Sequence, residues 1–242
     1  GDGYNVTGGL CGPIDCNDAD VNIWPLTNQT SGLNAAIVSI SNNTVLCPGT
    51  YQFELTGSLA NIFSFEGNDL ELDCNYATII SNASGRAVNA SSTIENITIK
   101  NCNIHNFTNV FYGVGGQLTN DLTIDNCNLT FANVYFIPDT NAGLGLVVRD
   151  SLINASFGNL YAATVNYTNT TFAAYTRISN SNSVIDSCTF LNNTDVYGAT
   201  NLTISNNNIS ADFDFGMGAS GSEIIFENND IYSRIIFEIA DS

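Results

Sequence analysis

Seven segments of the 242-residue chain lie on one another: ITIKNCNI (97–104), LTIDNCNL (122–129), LVVRDSLI (146–153), ATVNYTNT (163–170), SVIDSCTF (183–190), LTISNNNI (202–209) and IIFENNDI (224–231). Each reads apolar, polar, apolar, polar, a turn residue, a small residue, polar, apolar. The second apolar column is Ile99, Ile124, Val148, Val165, Ile185, Ile204 and Phe226, with spacings of 25, 24, 17, 20, 19 and 22 residues. The last column is Ile104, Leu129, Ile153, Thr170, Phe190, Ile209 and Ile231. Period-two alternation rich in β-branched residues predicts strands. A unit of this length cannot bury its apolar face alone, so its repetition predicts a solenoid. Helical periodicity is confined to a short stretch near residues 33–40.

The turn column reads Asn101, Asn126, Asp150, Tyr167, Ser187, Asn206 and Asn228. Asn and Asp tolerate left-handed backbone, which suits a sharp bend between two strands. Stacked coil on coil, about 4.8 Å apart, their amides can bond in a ladder. The fold class is therefore all-β, a parallel β-helix. A β-sandwich would want hairpin turns such as Asn-Gly or Asp-Gly every 8–12 residues. The sequence has one such dipeptide, Asp2-Gly3.

The small column, as framed, is Cys102, Cys127, Ser151, Thr168, Cys188, Asn207 and Asn229. Cys102 and Cys127 fall on adjacent coils, close enough for a disulfide. Cys74 lies one coil before Cys102 and competes for it, and Cys11 with Cys16 form another candidate pair. An unbonded stack of buried thiols is the alternative. There are seven cysteines and a single histidine, His105, with no Cys-x-x-Cys, so a Cys/His metal site is not expected. Disulfides would place the chain in an oxidising compartment.

Charge narrows the partners. Charged residues are 12 % of the chain, and the net charge of −18 reflects five basic residues against 23 acidic ones. A nucleic-acid binder needs clustered Lys and Arg, which excludes that class. No apolar run reaches the length of a membrane span. Asparagine fills the space, with 36 residues. Asn-x-Ser/Thr sequons occur at Asn5, Asn28, Asn42, Asn82, Asn89, Asn96, Asn106, Asn128, Asn154, Asn166, Asn169, Asn192, Asn201 and Asn208. Those fourteen are roughly twice what chance placement of the chain's Asn, Ser and Thr gives, which points to N-glycosylation and export. The frame puts Asn128, Asn169 and Asn208 in one polar column and Asn96 with Asn201 in another, with Asn154 and Asn166 in further polar columns. All are expected to face outward. The start at Gly1, without Met or a basic-then-apolar leader, is what a mature exported chain would show.

Residues 33–51, LNAAIVSISNNTVLCPGTY, resemble the opening of pectin-lyase-like right-handed parallel β-helix proteins. Ala36-Ile37 matches their amphipathic first helix; Val45, Pro48, Gly49 and Tyr51 match their first strand and turn. The segment 70–79 looks like the next coil, its register slipped by one. The resemblance covers roughly residues 33–242 and implies an N-terminal cap over 1–45 and one β-helix over 46–242. Asparagine-rich, sequon-dense, lysine-poor versions look most like archaeal cell-surface proteins of sheath or surface-layer type. The fold also hosts lyases, hydrolases and viral spikes, so it does not fix function.

The family's catalytic sets are not found: no Arg-x-Lys exists, and His105 sits in Asn-Ile-His-Asn-Phe as a surface turn residue. Lys100, Asp125 and Arg149 fall on consecutive coils and read as cross-strand ion pairs. Asp18-x-Asp20-x-Asn22 opens like a Ca²⁺ loop but lacks the following Gly and distal Glu, and reads as a solvated loop. The expectation is a non-catalytic structural subunit without a cofactor or metal, cell-surface and extracellular, carrying N-glycans and assembling with copies of itself. A carbohydrate-active or carbohydrate-binding β-helix is the alternative.

Overall fold

The computed structural model describes residues 23–24, 29–31, 36–55, 60–90, 94–113, 120–130, 145–154, 164–178, 181–197, 200–216 and 223–237. Every strand pairing among them is parallel. One ten-stranded sheet stacks Ile23–Trp24, Thr44–Leu46, Glu71–Asp73, Glu95–Lys100, Asn120–Asp125, Gly145–Arg149, Thr164–Thr168, Ser181–Asp186, Thr200–Ser205 and Ile224–Glu227 in chain order. A second ten-stranded sheet runs from Gln29–Ser31 to Asp230–Ile231, and each of its strands follows one from the first sheet. Two four-stranded sheets come next in the coils. One holds Ala36–Ile40, Asn61–Phe65, Arg86–Ala90 and Asn109–Gly113; the other holds Thr176–Ile178, Thr194–Tyr197, Phe213–Gly216 and Ile235–Phe237. This is an all-β parallel β-helix. The stacking reaches back to Ile23, inside the segment that the resemblance assigns to a cap.

The apolar columns point inward, and one contiguous core runs through the solenoid. Ile99, Ile124 and Val148 lie opposite one another in register and are fully buried. Ile104, Leu129 and Ile153 do the same in the second sheet. From Asn101 onward the chain bends between the two sheets through one left-handed residue per coil, with φ of 54° at Asn101, 51° at Asn126, 53° at Asp150, 57° at Asn206 and 53° at Asn228.

Two expectations are corrected. The frame for 163–170 is displaced by two residues: Val148 pairs with Tyr167, which is wholly buried, and Tyr167 pairs with Ile185. Asn169, at φ 47°, takes the turn that the sequence frame gives to Tyr167. Thr170 drops into the small column, and Phe172 completes an all-apolar last column between Ile153 and Phe190. A phenol ring can serve as core when it has ring partners, and Tyr167 lies 5.0 Å from Phe172 centroid to centroid.

The second correction concerns the helical stretch. Ala36–Ile40 is a strand, with Val38 opposite Phe63 and Ile40 opposite Phe65. Val38, Ser39 and Ile40 alternate inward and outward, and β-branched residues pack well on a pleated sheet. The slip near 70–79 also has a visible cause. Asp73 and Thr78 align with Lys100 and Asn103, so this turn carries two extra residues, and Asn75 and Tyr76 are both left-handed.

Candidate functional site

The bend between the first two sheets is an asparagine edge. Asn101 Nδ2 donates to Asp73 Oδ1 at 2.9 Å, and Asn126 Nδ2 donates to Asn101 Oδ1 at 2.8 Å. Lower down, Asn169 Nδ2 reaches Asp150 Oδ1 and Asn206 Nδ2 reaches Asp186 Oδ1, both at 2.7 Å. Tyr76, thrown outward by its longer turn and 63 % exposed, accepts from Asn126 Nδ2 across the intervening coil. Beside this edge lies an open groove of about 550 Å³, lined by Tyr76, Asn103, Asn128, Asp150, Leu152 and Thr171 among others.

Twelve sequons fall within the described residues, and none is buried. Asn42, Asn82, Asn96, Asn106, Asn154, Asn166, Asn169, Asn192, Asn201 and Asn208 are exposed, while Asn89 and Asn128 are half-buried. Asn5 and Asn28 lie outside the described residues. Asn128 and Asn208 share the polar column of the second sheet, but Asn169 leaves that column for the turn.

The cysteine column is bonded at its upper end. Cys74 and Cys102 form a disulfide with Cα atoms 4.8 Å apart, so Cys102 takes its earlier neighbour instead of Cys127. Cys47, which the sequence reading does not include, is also disulfide-bonded. Cys11 and Cys16 lie outside the described residues. Cys127 and Cys188 are free and buried, and burial pushes both thiols up to about 12. Each donates to a backbone carbonyl, Asp125 O at 3.2 Å and Asp186 O at 3.3 Å. They are protonated, shielded thiols and poor nucleophiles.

The charged series divides into two ion pairs. Lys100 turns back to Glu71 at 2.9 Å and Asp73 at 3.5 Å, while Arg149 binds Asp125 at 2.7 Å. Each cation is thus engaged by carboxylates, with Asp125 in register between Lys100 and Arg149 and bonded to Arg149. His105 closes the strand Asn103–His105 and is not in a turn; burial holds its imidazole below the usual value.

One cluster escaped the sequence reading. Arg177, Asp195 and Asp214 lie in register on the sheet that begins with Thr176–Ile178. The Tyr175 hydroxyl donates to Asp195 Oδ2, and burial together with that carboxylate pushes the phenol up to about 12. The Arg177 guanidinium sits 5.1 Å from the centroid of the Tyr197 ring. Arg177 Nε and Asp214 Oδ1 are sealed from solvent without a partner. The signal for it was spacing: these three residues recur at 18 and 19 positions, one coil each. Among the described residues no group of three or more His, Cys, Asp or Glu could hold a metal ion, and no helix is long and apolar enough to cross a membrane. Asp18 and Asp20 lie outside the described residues.

Comparison with known families, curated proteins and solved structures finds no match to this chain.

Proposed function

We propose that the chain is a non-catalytic structural subunit of an extracellular, N-glycosylated assembly such as a surface layer, sheath or filament, in which copies stack end on end. The observation that carries this reading is the coil formed by Ile224–Glu227, Asp230–Ile231 and Ile235–Phe237. Among the described residues it holds the last strand of three sheets, and Phe226, Ile231 and Ile235 of its inner columns are less buried than Ile204, Ile209 and Phe213, their partners one coil earlier. Ile231 is 41 % exposed and Phe237 66 % exposed, although they continue the inward columns of Ile209 and Phe215. Phe237 stacks on Phe215 at 5.0 Å, so it continues the core outward into solvent. Open parallel edges with apolar side chains beneath them are a template for another coil, and a head-to-tail contact of this kind builds an open filament. The likeness of the Asn-rich, Lys-poor sequence to archaeal surface proteins supports the same reading, as does the sequon density.

Imaging of native cell-surface material, with sedimentation of the purified chain, tests it. Polymers that Phe237→Asp (F237D) abolishes are expected; a monodisperse monomer at high concentration overturns the assembly. Intact mass of native material should exceed that of its own enzymatically deglycosylated form by several glycans. The Tyr175–Asp195–Arg177–Asp214 cluster favours a second reading, a carbohydrate-binding face. Retention on polysaccharide that is lost in D195N/D214N would favour it over the first.

A further inference from the structure

The geometry points to a division of labour among the sequons: those whose side-chain nitrogen faces solvent carry the glycans, and those whose nitrogen is bonded to the preceding coil stay bare and hold the solenoid together. This rests on the glycoprotein reading above and sharpens it.

Five sequon asparagines spend Nδ2 on the coil before. Asn96 donates to Asp69 Oδ1 at 2.7 Å, Asn169 to Asp150 Oδ1 at 2.7 Å and Asn201 to Asn182 Oδ1 at 2.9 Å. Asn106 donates to Ser81 O at 2.8 Å. Asn82 uses both ends of its amide on Leu55, accepting from its N–H and donating to its carbonyl, each at 3.2 Å. Four of these, Asn96, Asn106, Asn169 and Asn201, are also left-handed.

The other set is built differently. In Asn166 and Asn208 the hydroxyl two residues on donates to Oδ1, from Thr168 at 3.1 Å and from Ser210 at 3.1 Å. Thr130 does the same to Asn128 at 3.4 Å. That bond orients the amide by its oxygen and leaves Nδ2 without a bond to the preceding coil. Asn42 and Asn192 receive the Thr44 and Thr194 hydroxyls on their backbone carbonyls, at 2.9 and 3.4 Å, and Nδ2 is again unused. Asn154 is exposed on the outer side of its strand.

A glycosylated amide nitrogen keeps one hydrogen and gains a bulky ring. Where that nitrogen points at a coil about 4.8 Å away, the ring must splay the coils or break the bond. Where it points to solvent, the ring costs nothing in packing. Asn89 belongs to neither set, because its Oδ1 is sealed without a partner.

Glycopeptide mapping of protein from its native source reads the division directly. Occupancy is expected at Asn42, Asn128, Asn154, Asn166, Asn192 and Asn208, and none at Asn82, Asn96, Asn106, Asn169 and Asn201. Glycans spread evenly over both sets overturn the division and leave the glycoprotein reading standing. A native chain without any glycan overturns both. Unglycosylated recombinant protein supplies the second arm: N169Q should lower Tm by several degrees and N208Q should leave it unchanged. Equal shifts would show that the ladder amides are not the structural set.

Discussion

The upper and lower coils of this solenoid fill the same cross-section by different means. From Leu72 to Ile124 successive coils are 27 and 25 residues long, and the second-sheet core column is aliphatic, Ile79, Ile104 and Leu129. From Tyr167 to Phe226 they shrink to 18, 19 and 22 residues. There the column becomes Phe172 and Phe190, with Phe213 against them; the rings lie 5.1 and 5.5 Å apart. The upper coils bury rings too, Phe63, Phe65 and Phe107, but outside this column; the shorter lower coils bring rings into it, where they pack against one another. The small column changes as well. Above, it is a disulfide and a thiol; below, Asn207 accepts from Cys188 N at 2.7 Å and donates to Ile185 O at 3.0 Å. One half is closed by a covalent bond, the other by amides that satisfy buried backbone groups.

Each half can be broken at its own device. The largest effect is expected from Phe190→Ala, which empties the lower aromatic stack and should cost about 3–5 kcal/mol by chemical denaturation. Replacing Cys74 and Cys102 with Ser should cost about 3–4 kcal/mol, the chain-entropy value for a loop of this size, and only under non-reducing conditions. Under reducing conditions the wild type and the double variant should converge. Asn207→Ala strands Cys188 N–H and the Ile185 carbonyl, and a loss of about 2–3 kcal/mol is expected. Because a solenoid is held coil to coil, hydrogen exchange should localise each loss to its own half.

Acid separates the halves by pH. Burial depresses the pKa of His105 in the upper half. The unfolded chain therefore takes up that proton first, and stability falls as pH drops below about 6.5. H105N should flatten that slope. In the lower half, hydrogen bonds from Ser205, Asn206 and Ser187 depress Asp186, whose contribution is present above about pH 4 and lost as pH falls through its folded value. The smallest effect is expected from Arg149→Ala, whose exposed pair with Asp125 is worth less than about 1 kcal/mol.

The columns were legible in the sequence because strand alternation and coil length are both written in residue type. Asn101, Asn126 and Asn206 announce the bend, since few other side chains accept that backbone. The misframing at 163–170 has the same root: the sequence frame gives Tyr167 the turn and Val165 the core, while the decisive feature, Tyr167 packed against Phe172, belongs to packing. The cluster around Asp195 was hidden for a different reason. Its members repeat with the coil, but what distinguishes them, a phenol bonded to a carboxylate and polar atoms sealed without partners, exists only after folding. Coil spacing left Cys102 between Cys74 and Cys127, and the folded Cα separation of 4.8 Å assigns it to Cys74.

The asparagine edge also bears on how the molecule ages. An asparagine deamidates when the next backbone nitrogen attacks its side-chain carbonyl and closes a succinimide ring. Here that nitrogen is engaged: Cys127 N donates to Ser151 Oγ beside Asn126, and Asn207 N donates to Asn229 Oδ1 beside Asn206. The side chains are tethered away from it, Asn126 to Asn101 and Asn206 to Asp186. A chain with 36 asparagines would be chemically short-lived as a flexible polymer. Coiled this way, Asn126 and Asn206 are held away from their own hydrolysis, and asparagines without such tethers are expected to deamidate first.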